Sequence, residues 1–229
     1  MRRAGTLSFG RTLVVAPHPD DEVLGVGGTI ARLASEGEEV FVAVVTEGKP
    51  PTFHPADVAK TQAEAAEAHR ILRVKETFWL RLPAARLAET SHATVNGALF
   101  ELVRRLSPQT VVLPFVGDMH MDHQLTFTSA LVACRPHQAD FPKLILAYET
   151  LSETNWNAPY LSPAFVPNVF VDISKHLETK LTAMRMFASQ LREPPHERSI
   201  ATISALASLR GATVMQQAAE AFVLVRQIV

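Results

Sequence analysis

Short apolar runs rich in β-branched residues recur along this chain with room for one helix between each pair, and this rhythm constrains the fold more than any other feature. Residues 12–16, 39–46, 77–80 and 110–115 each read as a buried strand, too short for a buried helix. Between them the period changes. Residues 30–35 continue as a helix, and 58–72 set Ala59, Ala63, Ala66 and Ala68 among Glu and Lys, as a surface helix does. Residues 94–106 space Val95, Leu99, Leu102, Val103 and Leu106 at helical intervals. Strand, helix and strand in that order make βαβ units, and hence an α/β fold on a mostly parallel sheet. Beyond a helix at 123–134 the alternation loosens: 143–148 and 165–171 read as strands around a loop at 152–163. The last third reads as mostly helical, with one helix capped by Asp172 or Ser174 and ending near 191. Another runs from Ser199 to near 209, where Gly211 supplies a stop.

Two polar clusters sit where two of these strands end. Pro17-His18-Pro19-Asp20-Asp21-Glu22 follows 12–16, and His120-Met121-Asp122-His123 follows 110–115. In an open parallel sheet, sites form outside the carboxyl ends of neighbouring strands where the strand order reverses, so distant sequence positions come into contact. His18, Asp21 and His123 offer two imidazoles and one carboxylate, a set that holds zinc or iron and leaves positions for water and substrate. Asp20 adjoins a ligand but points elsewhere in the turn, which suits a base acting on that water. Each signal alone is weak, since an Asp-rich loop before a helix also serves as a cap. Their joint occurrence at two strand ends, with a third acid beside a ligand, points to a metal site. Gly25, Gly27 and Gly28 do not complete a dinucleotide fingerprint, because residue 30 is Ile, and they read as close packing of a helix start against the strands.

The 229 residues, 47% of them hydrophobic, suffice for one large core, and a single domain over 1–229 is expected. Lys and Arg total 22 against 23 acidic residues, which leaves no electrostatic footprint for nucleic acid or an anionic membrane. Met1-Arg2-Arg3 has the charge of a signal peptide, but the apolar run after it is too short for an h-region or a membrane span. A cytoplasmic protein is expected. The lone cysteine, Cys134, excludes an internal disulfide and reads as a packing residue. His54, His69, His92, His137 and His176 read as surface residues.

Pro17 to Glu22 followed by Gly27-Gly28-Thr29, with the later His120-x-x-His123, closely resembles the LmbE-like, or PIG-L, family of zinc-dependent N-deacetylases. Tyr148-Glu-Thr150, Phe165-Val-Pro-Asn168, Val171-Asp-Ile-Ser174, Ser189-Gln-Leu191 and Ala219-Glu-Ala-Phe222 extend the resemblance along most of the chain. It implies a Rossmann-like three-layer sandwich and removal of an N-acetyl group from an N-acetylglucosamine-containing substrate, giving free amine and acetate. Carried over by residue, His18, Asp21 and His123 would bind Zn2+, or Fe2+, and Asp20 would be the general base. His120 would stabilise the oxyanion or protonate the departing amine, and Asp122 would orient a histidine from behind the ligands. The family's arginine before Glu64 is missing; Lys60 or Gln62 stands in its place, without a guanidinium fork. Trp156, His196 and Arg198 are further substrate-binding candidates, His196 from its own or a neighbouring subunit. A homo-oligomer, a trimer or hexamer, is also implied. The alternatives are a zinc hydrolase of another acyl amide and a non-catalytic sugar-binding subunit on the same fold.

Overall fold

The computed structural model describes residues 8–137 and 140–229, so the charged Met1-Arg2-Arg3 start lies outside the described residues. The order is β1 (Thr12–Ala16), α1 (Asp21–Ser35), β2 (Val40–Glu47), α2 (Pro55–Leu72), β3 (Glu76–Pro83), α3 (His92–Leu106) and β4 (Thr110–Pro114). Then come α4 (Met121–Ala133), β5 (Leu144–Tyr148), β6 (Val169–Asp172), α5 (Leu177–Met186), α6 (Ile200–Thr213) and β7 (Ala219–Gln227). One seven-stranded sheet runs β3-β2-β1-β4-β5-β7-β6, with β1 to β5 parallel and β7 antiparallel to both its neighbours.

Because successive strand residues face opposite ways, the sheet feeds two cores. Val14, Val42, Val44, Val112 and Leu146 pack with α1, α2 and α5 on one face. Leu13, Val15, Ala43, Val111 and Ile145 pack with α3 and α4 on the other. Helices on both faces of a mostly parallel sheet make the expected three layers. Cys134 is buried at the end of α4, as a packing residue should be, and burial pushes its thiol up to about 12.

Three expectations are corrected. The helix read from residue 30 starts nine residues earlier, at Asp21. Its glycines weaken the helix signal, yet they are what lets α1 sit close: a Cβ on Gly25 would lie 2.2 Å from Tyr148 Cδ2, and one on Gly28 2.6 Å from Ile173 Cδ1. The helix expected to reach residue 191 ends at Met186. The mostly helical last third contains β7, which enters the sheet between β5 and β6. Its Phe222-Val-Leu-Val225 run carries the β-branched signal that the helical reading passed over.

Two side chains from the far end of the chain brace α1. Lys180 Nζ donates to Leu24 O at 2.7 Å and to Glu220 Oε1 at 2.6 Å. The Glu220 carboxylate accepts the Gly28 and Thr29 N–H groups at 2.8 and 2.7 Å. The buried ion pair thus ties α5 and β7 to α1.

Candidate active site

The chain runs β1, β2, β3 toward one edge and then returns to place β4 on the other side of β1, so the strand order reverses between β1 and β4. Both polar clusters leave the carboxyl ends of that pair. The first loop is fastened to β2, where Thr46 donates to Pro17 O through its backbone N at 3.0 Å and its hydroxyl at 2.8 Å.

Asp21 Oδ2 is the point of convergence. It lies 3.2 Å from His18 Nδ1 and 3.2 Å from His123 Nε2, and accepts the His18 backbone N–H at 2.8 Å. Each ring's other nitrogen is held from behind: His18 Nε2 lies 3.1 Å from Asp122 Oδ2 and His123 Nδ1 lies 2.8 Å from Asp118 Oδ2. Asp122 also accepts the backbone N–H groups of Ala85 and Leu87 at 2.7 and 3.2 Å, so it is anchored as the carboxylate that orients His18. Asp118, absent from the sequence candidates, does the same for His123 and accepts the Thr154 hydroxyl at 2.6 Å. Its one sequence signal is an acid five residues before a ligand histidine.

These residues fit a divalent cation. His123 Nε2 is buried without a hydrogen-bond partner, although a carboxylate oxygen stands 3.2 Å away. Leaving a buried imidazole nitrogen unpaired is costly, and a metal satisfies it. Buried Asp20, Asp21, Glu22, Asp118 and Asp122 crowd the same point, and Arg198 is the one guanidinium bonded to any of them among the described residues. A second grouping of His18, His120 and Asp122 also lies within ligand distance, but both Asp122 oxygens already accept protein donors, so it reads as the support of the first.

The surrounding carboxylates favour positive charge at both rings. Burial works against charge on His18, but Asp122 and Asp21 raise it to about 9; burial also opposes charge on His123, yet Asp21 and Asp118 raise it to about 10. Asp21, despite burial, is held well below the usual carboxylate range by the two histidines. A cation must displace the imidazole protons, so its apparent affinity should rise with pH through neutrality, by about 10-fold per pH unit for each proton released. Calorimetric titrations with zinc from about pH 6 to about pH 8 check this. An affinity flat across that window contradicts the ligand set.

Asp20 caps α1 from a left-handed backbone, φ 119°, a strained conformation of the kind found at functional sites. Its Oδ2 accepts from Arg198 Nη1 at 2.9 Å. Burial and the neighbouring Asp21 push its carboxyl up to about 8, against the pull of Arg198. His120 caps α4, its Nδ1 accepting the Asp122 N–H at 3.1 Å, and its ring centroid lies 4.6 Å from that of His18. Burial, helped by His18 and His123, lowers its pKa.

A cavity of about 340 Å³ opens on this centre and is lined by His18, Asp20, His120, Glu153, Arg198 and Gln62, among others. Gln62 donates to Glu47 Oε1 at 2.8 Å. Of the remaining substrate-binding candidates, Lys60 and His196 are exposed and lie outside the lining. His196 Nδ1 accepts the Arg198 backbone N–H at 3.0 Å. Trp156 is 65% exposed, donates to Glu197 at 2.9 Å, and also lies outside the lining. His54 and His92 are exposed as expected, whereas His69 is buried between Glu22 and Thr77; its surface reading is overturned because α2 packs that side against α1. No helix of the described residues is long and apolar enough to cross a membrane.

The family described as PIG-L, GlcNAc-PI de-N-acetylase, matches residues 13–134. The uncharacterised deacetylase YaiS of Escherichia coli is 31% identical over 186 residues, 77% of this chain and 90% of that protein. The 1D-myo-inositol 2-acetamido-2-deoxy-alpha-D-glucopyranoside deacetylase of Mycobacteroides abscessus is 30% identical over 94% of this chain and 92% of its own. The structure of N,N'-diacetylchitobiose deacetylase from Pyrococcus horikoshii superposes with a TM-score of 0.75 at 25% identity, covering 93% of this chain and 82% of that one. The chain belongs to the GlcNAc-PI de-N-acetylase family, the LmbE-like deacetylases.

Proposed function

We propose that this member of the family is a cation-dependent amide hydrolase that removes the acetyl group from an N-acetylglucosamine-containing substrate, yielding free amine and acetate. The observation that carries the reading is the buried, unpartnered His123 Nε2 meeting His18 Nδ1 at Asp21, with the Asp20 carboxylate beside them on the cavity wall. The donor set suits zinc, with ferrous iron as the second choice. When bound there, the cation supplies Lewis acidity toward the acyl oxygen and makes a water more acidic.

The chain's own groups do the rest. Asp20 takes a proton from the attacking water as its oxygen bonds to the acyl carbon, and Arg198 holds that carboxylate in place. Because His120 Nδ1 accepts a backbone N–H, its proton resides on Nε2, the atom left to face the substrate. Its lowered pKa keeps the ring neutral, so it donates that N–H as a hydrogen bond to the oxyanion, and the proton Asp20 took from the water passes to the amine as the carbon–nitrogen bond breaks. Gln62 keeps its carbonyl oxygen for a sugar hydroxyl. Lys60, Trp156 and His196 would meet a substrate that extends past the cavity. A single domain over 1–229 rests on the length and hydrophobic content of the chain, and its assembly as a trimer or hexamer rests on the resemblance alone.

Acetate release should be measured with zinc-loaded protein on free N-acetylglucosamine, N,N'-diacetylchitobiose, a nucleotide sugar and an inositol glycoside. Turnover of one of them is expected. No release from any, with the cation bound, would move the assignment to another acyl amide; sugar binding without turnover would favour the non-catalytic subunit.

A further inference from the structure

Behind the base lies a chain of hydrogen bonds that the catalytic groups do not use. Glu22, wholly buried in the first turn of α1, reaches back so that its Oε2 accepts the Asp20 backbone N–H at 3.2 Å. This resembles a capping box, in which a helix carboxylate satisfies the N–H of the capping residue. Its other oxygen lies 2.9 Å from His69 Nε2, on α2. His69 Nδ1 lies 2.8 Å from the Thr77 hydroxyl on β3. With the Nε2 proton donated to Glu22, Nδ1 accepts the Thr77 proton, and every member is satisfied.

We propose that His69 is a positioning residue for the reaction, acting through Glu22 to fix the backbone of Asp20 and so the direction in which the base points. The inference rests on the deacetylase reading for its kinetic part. Asp20 sits at φ 119°, and a non-glycine residue keeps such a backbone only where its surroundings over-determine it. Glu22 supplies one such restraint, and a carboxylate buried this completely needs a donor on its second oxygen. Among the described residues, His69 is that donor. The contact is not what attaches α2, since Ala65, Ala68 and Leu72 bury its apolar face independently.

Three variants test this. His69→Leu should lower kcat about 10- to 100-fold with KM and the zinc stoichiometry unchanged, the size expected when a reacting group is displaced by about 1 Å. His69→Gln, whose amide can donate to Glu22, should restore most of that loss, and Thr77→Val should cause a loss of the same kind but only about 2- to 5-fold. Hydrogen exchange followed by mass spectrometry should show faster exchange confined to residues 17–24 in His69→Leu. Wild-type kcat and exchange in His69→Leu, or a Gln variant no better than Leu, would overturn the proposal. If wild-type protein releases no acetate, the deacetylase reading fails, and the exchange result still decides the positioning role.

Discussion

Replacing Asp20 with Asn is expected to slow acetate release by about 10²- to 10⁴-fold, the usual contribution of a positioned general base, while one divalent cation per chain is retained. Asp20 lies outside the convergence of His18, Asp21 and His123, so its loss removes the proton acceptor without removing a ligand. The substitution is also mild for the fold. Asn tolerates the left-handed backbone at this position better than most residues and can still accept from Arg198 through its amide oxygen. A thermal midpoint close to wild type should therefore accompany the kinetic loss. Unchanged acetate release would remove Asp20 from the mechanism.

The largest effect on stability should come from Lys180→Met. Lys180 and Glu220 are buried to 4% exposure each, and Glu220 would be left with two backbone donors and no countercharge. Removing one partner of a buried ion pair costs about 3–5 kcal/mol. For a chain of this size that lowers the thermal midpoint by about 6–20 °C. Lys180→Met combined with Glu220→Gln should recover part of the loss, because the uncompensated charge goes with it. A single variant melting within about 2 °C of wild type would show that the pair braces nothing.

What could be read from the sequence was the part whose signal is local. Strands β1, β2 and β4 announce themselves as short β-branched runs, and the polar motif directly after β1 and the one that follows β4 by a short loop bring His18, Asp21 and His123 together by topology alone. The start of α1 was hidden because its glycines serve long-range packing against Tyr148 and Ile173, which no window along the chain contains. The strand signal of β7 is present in its Phe222-Val-Leu-Val225 run, but its place in the sheet is not, because its partners, β5 and β6, precede it by tens of residues. Asp118 and His69 are defined by what they touch, His123 in one case and Glu22 in the other, so each looks like an ordinary loop acid or helix histidine until the chain is folded. Arg198 was legible as a polar loop residue, but its grip on Asp20 spans 178 positions.

Cation dependence is tested by acetate release from N,N'-diacetylchitobiose, or from whichever compound of the panel is turned over best, by chelator-stripped protein titrated with zinc. No turnover is expected without cation, and activity should rise to a plateau at one zinc per chain, the capacity of the His18, Asp21 and His123 set. Full activity in stripped protein, or a plateau unaffected by His123→Ala, would contradict this dependence.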